Sequence, residues 1–229
     1  GMQSSRQGTH STERPVLAFA YAQETTTCML DAERRKPQVT IRQLLVARVE
    51  EGVVQYKATF FYNILYSGVK SLRIDIPEKI AAQVRNQTPA LREKPMEPAP
   101  QDVAKGYVAW SFTGQTELLG DGKIDLAWQA NISKLDVGAR VPLDVPRLTP
   151  KDVDRAWGQI VLVKAETIDV QDDPGKQAGL RPIDPQHDLM PGAGVPNAAR
   201  AFEFHDDWSL VVKATRYQLE EVKHTSIER

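Results

Sequence analysis

The side chains in this 229-residue chain best suited to chemistry are four tryptophans, four histidines and thirty acids. Trp110, Trp128, Trp157 and Trp208 could stack on sugar rings if they share an exposed face, because an amphipathic ring offers both apolar area and a polar handle. Trp128 and Trp208 fall in phase with aliphatic neighbours, which predicts core positions for both. Trp110 alternates with Val108 and Phe112, which also predicts packing unless it proves exposed, while Trp157 precedes Gly158 and is the least constrained. Trp157 and Trp110 are therefore the candidate ligand-binding residues.

His205, Asp206 and Asp207 form the densest imidazole and carboxylate group, and neighbours in sequence converge only in a turn. They are the candidate metal ligands, expected at a hairpin tip because Trp208 restarts the apolar pattern. Asp169, Asp172 and Asp173 offer oxygen ligands for calcium, although the alternating series of an EF-hand is missing. Among the acids, only Asp125 stands in an apolar setting, and its phase opposite Trp128 predicts an exposed side chain. No acid-base pair and no other catalytic residue is nominated.

Several chemistries are excluded on motif grounds. Gly-x-Ser-x-Gly is absent, so there is no nucleophile elbow. Gly120-Asp121-Gly122-Lys123 lacks the Ser or Thr of a phosphate loop and reads as a hairpin turn. Gly192-Ala193-Gly194 lacks the third glycine of a dinucleotide fingerprint. The single cysteine, Cys28, rules out an internal disulfide or thiolate cluster and reads as a small buried hydrophobe. No cofactor is called for.

Charge and hydropathy narrow the partners. With 29 Lys plus Arg against 30 Asp plus Glu, and no run of five like charges, the chain lacks the electrostatic footprint of nucleic-acid binding. No apolar run approaches the ~18–20 residues of a membrane-spanning helix. Gly1-Met2 reads as an expression remnant, and residues 1–14 as a polar, aperiodic leader.

From Pro15 onward the apolar residues alternate with period two, the mark of half-buried strands. Val54, Tyr56, Ala58, Phe60 and Tyr62 take one face, and Gln55, Lys57 and Thr59 the other. Ile124, Leu126, Trp128, Ala130 and Ile132 likewise oppose Lys123, Asp125, Ala127, Gln129 and Asn131. Glu50-Glu51-Gly52 and Gly120-Asp121-Gly122 are expected to turn two antiparallel hairpins. Short helices are expected over 78–84 and, from an N-cap at Thr149 with Pro150 after it and the acids Asp152 and Asp154 in the first turn, over 149–154 and on to near Trp157-Gly158. The fold class is therefore all-β, a mainly antiparallel sandwich with one or two short helices. It spans residues 15–171 and includes a Pro-rich loop at 88–100. Five prolines and four glycines then predict a linker over 172–197.

Residues 198–229 are strands that either open a truncated second repeat or complete the first sheet. Ala201-Phe202-Glu203-Phe204 matches Ala18-Phe19-Ala20-Tyr21, and the spacing holds from there to Val222 and Val39. These starts, with Ser67-Gly68 leading into Leu72-Arg73-Ile74-Asp75-Ile76-Pro77, give a chain that resembles large uncharacterised bacterial envelope proteins built of tandem β-rich domains. The resemblance implies a cell-envelope or extracellular location, a scaffold role, and neighbouring domains or other proteins as partners. It brings no catalytic residues with it. The expected function is a non-enzymatic structural or interaction module, and the alternative is a carbohydrate-binding or carbohydrate-active domain with glycans as partners.

Overall fold

Period-two alternation becomes twelve strands in the computed structural model, which describes residues 35–132 and 135–218 together with Ala20, Thr27, Met29 and Glu33. The chain divides into two units, residues 1–34 and 35–229, and the architecture below is that of the second. Strands β1 (Gln38–Glu50) and β2 (Val53–Pro77) are followed by the one-turn helix α1 (Glu78–Ala81) and the short strands β3 (Arg85–Asn86) and β4 (Arg92–Pro95). Next come β5 (Tyr107–Asn131), β6 (Arg140–Asp144), β7 (Thr149–Lys151), β8 (Arg155–Lys164) and β9 (Ile168–Asp172). A 3-10 turn (Pro174–Lys176) leads to β10 (Arg181–Ile183), β11 (Ala198–Phe204) and β12 (Val211–Arg216).

Nine strands form one sheet in the order β10-β11-β8-β1-β2-β5-β3, with β4 also on β5 and β7 also on β2. The pairing of β1 with β8 is parallel, whereas the other strand pairings are antiparallel. The second sheet has the order β6-β12-β9. One apolar cluster takes Ile41, Phe60, Leu126 and Ile160 from the large sheet and Ile168, Val170, Val212 and Ala214 from the small one. The fold is thus an all-β sandwich, held by side chains of alternate phase that meet between two layers. Among the described residues, no helix is long and apolar enough to cross a membrane.

The hairpin of β1 and β2 turns at Glu51-Gly52, with Gly52 at a φ of 80°. The second expected hairpin does not form. Gly120, Asp121 and Gly122 lie inside β5 and pair with Ile64, Asn63 and Tyr62 of β2. Gly120 has a φ of 76°, which re-aims the strand where the register slips between Ile64 and Ser71 without reversing the chain. The helix expected at 149–154 is also absent. Thr149–Lys151 is strand β7 on β2, where Pro150 faces Ile74, and a proline is tolerated at such a sheet margin. Asp154, expected to favour a helix N-terminus, instead accepts a hydrogen bond from the Val39 amide at 2.6 Å. The helix expected over 78–84 shortens to Glu78–Ala81.

Residues 172–197 are not a free linker. β10 pairs with β11, and the buried Gln159 of β8 holds the segment from beneath. Its Nε2 donates to the Asp188 carbonyl at 2.9 Å, and its Oε1 accepts from the Met190 amide at 2.8 Å. Met190 then packs with Leu44, Val161, Val163 and Ala201 in a second apolar cluster. The C-terminal strands join the same fold: β11 pairs with β8, and β12 lies between β6 and β9. The boundary expected at residue 14, the first copy of the repeat up to Arg34 and Cys28 all lie outside the described residues, apart from the isolated positions named above.

Candidate functional site

Alternation gives the large sheet two faces. Over residues 54–60 of β2 and 124–128 of β5, even-numbered side chains are buried in the core and odd-numbered ones take the opposite face. Register sets the outward residues side by side. Arg48 lies opposite Gln55, which lies opposite Gln129; Val46 lies opposite Lys57, which lies opposite Ala127, which lies opposite Arg85. These rows form the floor of a groove of about 840 Å³. Ala82, Gln83, Arg85 and Gln87 wall it beyond the β5 edge, and Ala193, Gly194, Val195 and Pro196 wall it on the other side.

The groove carries three cations, Arg48, Lys57 and Arg85, and five amides, Gln55, Gln83, Gln87, Gln129 and Asn131. Its lining has no carboxylate, imidazole, thiol or aliphatic hydroxyl. Nη1 of Arg85 donates to the carbonyls of Ala82 and Val84 at 2.8 and 3.0 Å, which steadies the guanidinium. Tyr56 and Trp128 lie under the floor, stacked 5.0 Å apart at 8° and buried. Burial pushes the Tyr56 phenol well above the ordinary tyrosine range, with Asp144 acting in the same direction.

One row further along the sheet sits Asp125, which is buried, not exposed as its phase opposite Trp128 suggested. Thr59 Oγ1 donates to its Oδ1 at 2.6 Å, Lys123 Nζ is 2.8 Å from its Oδ2, and Lys57 Nζ is 3.9 Å from its Oδ1. Burial raises its pKa, but Lys123, Thr59 and Lys57 more than offset this and hold it below the usual carboxylate value. Beyond it, Arg42 lies over the Phe61 ring at 5.7 Å.

The nominated tryptophans are placed apart. Trp110 is half-buried against the core between the sheets, 6.4 Å from the Phe112 ring. Trp157 is half-buried against the second cluster, its ring 6.2 Å from that of His205. They do not share one platform. Trp128 and Trp208 are both core residues.

The nominated metal ligands are not brought together. His205 Nε2 is 3.1 Å from Glu203 Oε1, Asp207 pairs with Arg147 at 2.9 Å, and Asp206 is exposed. Asp172 and Asp173 pair with Arg200 and Lys213 at 2.9 and 3.1 Å. Among the described residues, no group of three or more His, Cys, Asp or Glu could hold a metal ion.

The groove residues Gln55, Lys57, Gln129 and Asn131 were visible in sequence as the polar phase of two strands. Their convergence with Arg48 and Arg85 depends on cross-strand register, and no local pattern encodes that.

No family model matches the chain, and no curated protein matches it. Solved structures that it resembles include native leukotriene A4 hydrolase from Saccharomyces cerevisiae. The match has a TM-score of 0.36 at 9% identity and covers 78% of this chain and 29% of that one. The yeast enzyme in complex with bestatin matches at a TM-score of 0.36 and 10% identity, over 79% of this chain and 29% of that one. The chain thus spans under a third of the length of these structures.

Proposed function

We propose that the chain is a non-catalytic interaction module of a larger, envelope-associated protein, and that it binds through the groove on the outer face of its large sheet. The observation that carries this reading is the groove's composition: three cations and five amides with no carboxylate in the lining. Such a lining grips a ligand through hydrogen bonds and fixed charge. It offers neither the paired carboxylates of acid-base cleavage nor a nucleophile with its base. The envelope setting and the tandem arrangement belong to the same proposal, supported by the likeness of residues 18–21 to residues 201–204.

A carbohydrate-binding role has a specific observation in its favour. Each of the five amides offers both a donor and an acceptor, which matches the paired hydroxyls of a sugar. The test is retention of the purified protein on immobilised neutral and acidic polysaccharides and extended peptides, compared with the Lys57→Glu/Arg85→Glu variant. The reading predicts retention on at least one polymer, lost on charge reversal, with no shortened products by mass spectrometry. Retention indifferent to the reversal, or release of cleaved products, would contradict it.

A further inference from the structure

We infer that the groove takes a linear acidic oligosaccharide, a sugar chain carrying carboxylates; this rests on the carbohydrate reading above and adds the charge class of the ligand. The chain as a whole has a net charge of -1, yet this groove gathers Arg48, Lys57 and Arg85 with no acid in the lining. Two described carboxylates flank the lining: Glu50 accepts from Gln55 at 3.0 Å, and Asp125, engaged by Lys123 at 2.8 Å and by Thr59 at 2.6 Å, stands 3.9 Å from Lys57. Two of the three groove cations, Arg48 and Arg85, are therefore without an ion pair among the described residues, while Lys57 shares Asp125 with Lys123.

Spacing suits an extended ligand. Arg48 and Lys57 are one strand and one outward row apart, and Lys57 and Arg85 are two strands apart in one row, so the intervals are about 8–10 Å by strand geometry. Ala127 lies between Lys57 and Arg85, where a methyl side chain lets a ring approach the sheet. Gln55 and Gln129 fill the adjoining row beside Arg48. A row of Arg48, Gln55 and Gln129 thus lies beside a row of Lys57, Ala127 and Arg85, which sets charges next to amides as carboxylates lie near hydroxyls along an acidic sugar chain.

The aromatic residues decide between ligand classes. Neutral sugars and single-stranded nucleic acids both draw affinity from stacking on exposed rings. In this groove the lining rings, Tyr56 and Trp128, are buried at 4% and 3% exposure. With no platform offered, Coulomb attraction and amide hydrogen bonds must supply the binding energy, and that selects an anionic ligand rich in hydroxyls.

The test is calorimetric titration of the 229-residue chain with a short oligogalacturonate, the same oligomer as its neutral methyl ester, and an oligothymidylate of equal charge. The inference predicts binding of the free acid, weaker by about tenfold for Lys57→Gln/Arg85→Gln, with circular dichroism unchanged. It also predicts loss of affinity as ionic strength rises from ~0.15 to ~1 M. Equal affinity for acid and ester would overturn the charge class while leaving the carbohydrate reading intact. Tighter binding of oligothymidylate would overturn it in favour of a general polyanion site. Binding of none of the three would overturn both readings.

Discussion

Tyr62 lies across Gly122, its register partner on the neighbouring strand, so that a Cβ on Gly122 would collide with Cζ and Oη of the Tyr62 ring. The ring fills the space the glycine leaves, an arrangement that protects a strand glycine from water. Burial raises the Tyr62 phenol above its ordinary pKa. This packing explains how a Gly-Asp-Gly stretch, a turn signal by local chemistry, continues as strand through the middle of β5.

A contrast between two glycines follows. The far end of the half-exposed Tyr62 side chain can swing aside, so Gly122→Ala is expected to cost under about 1 kcal/mol. At Gly158 an added Cβ would collide with the Gln43 carbonyl of the paired strand and lie 2.6 Å from Cζ of the buried Phe204. Backbone cannot swing aside, and Gly158→Ala is expected to cost about 2–3 kcal/mol. Urea denaturation checks both values, and equal losses at the two sites would contradict the account.

Arg73 and Asp75 form a bidentate ion pair with contacts of 2.8 and 3.0 Å, and Arg73 Nη1 also reaches Asp102 at 2.8 Å. Both partners are buried, Asp75 at 1% exposure. The hydrogen bonds to Asp75 raise the Arg73 pKa further above its already high value. Arg73→Met leaves a buried carboxylate without its partner and should cost about 3–5 kcal/mol. Arg73→Met/Asp75→Leu removes both charges and should recover most of that loss. A double variant less stable than the single one in equilibrium unfolding would contradict this.

Asp125 ties stability to pH. Burial raises its pKa and the bonds from Lys123, Thr59 and Lys57 lower it by more, so the folded value lies below the unfolded one. The stability it contributes is present above the ordinary carboxylate value of about 4 and is lost as the pH falls through the depressed one. Asp125→Asn should therefore be less stable than the parent at pH 7, with the gap closing below about pH 4. Thermal melts across that range test the sign, and a gap that widens on acidification would contradict it.

The parts of the fold that were legible in sequence are those set by local alternation. Phe60, Leu126 and Trp128 are buried because their phase places them between the sheets. The Glu51-Gly52 turn was legible because no partner strand competes for those residues. At Gly120–Gly122 the opposing Tyr62 overrides the turn signal. At Thr149–Asp154 the capping chemistry is redirected to β2 and to the Val39 amide. Residues 172–197 read as linker because their anchor, Gln159, lies on another strand. The groove was hidden for a similar reason: Arg48 and Lys57 share one hairpin, but Arg85 and the amides of β5 come from distant segments, and only the register of β1, β2, β5 and β3 assembles them.

Residue-resolved mapping tests the groove most directly. Amide chemical shifts of the isotopically labelled protein would be followed by NMR as a short oligogalacturonate is added. The account predicts changes concentrated within the segments 46–48, 55–57, 82–87, 127–131 and 193–196, which contribute the lining residues of the groove. Shifts centred instead on Trp157 and His205, or spread without regard to the outer face of the large sheet, would contradict it.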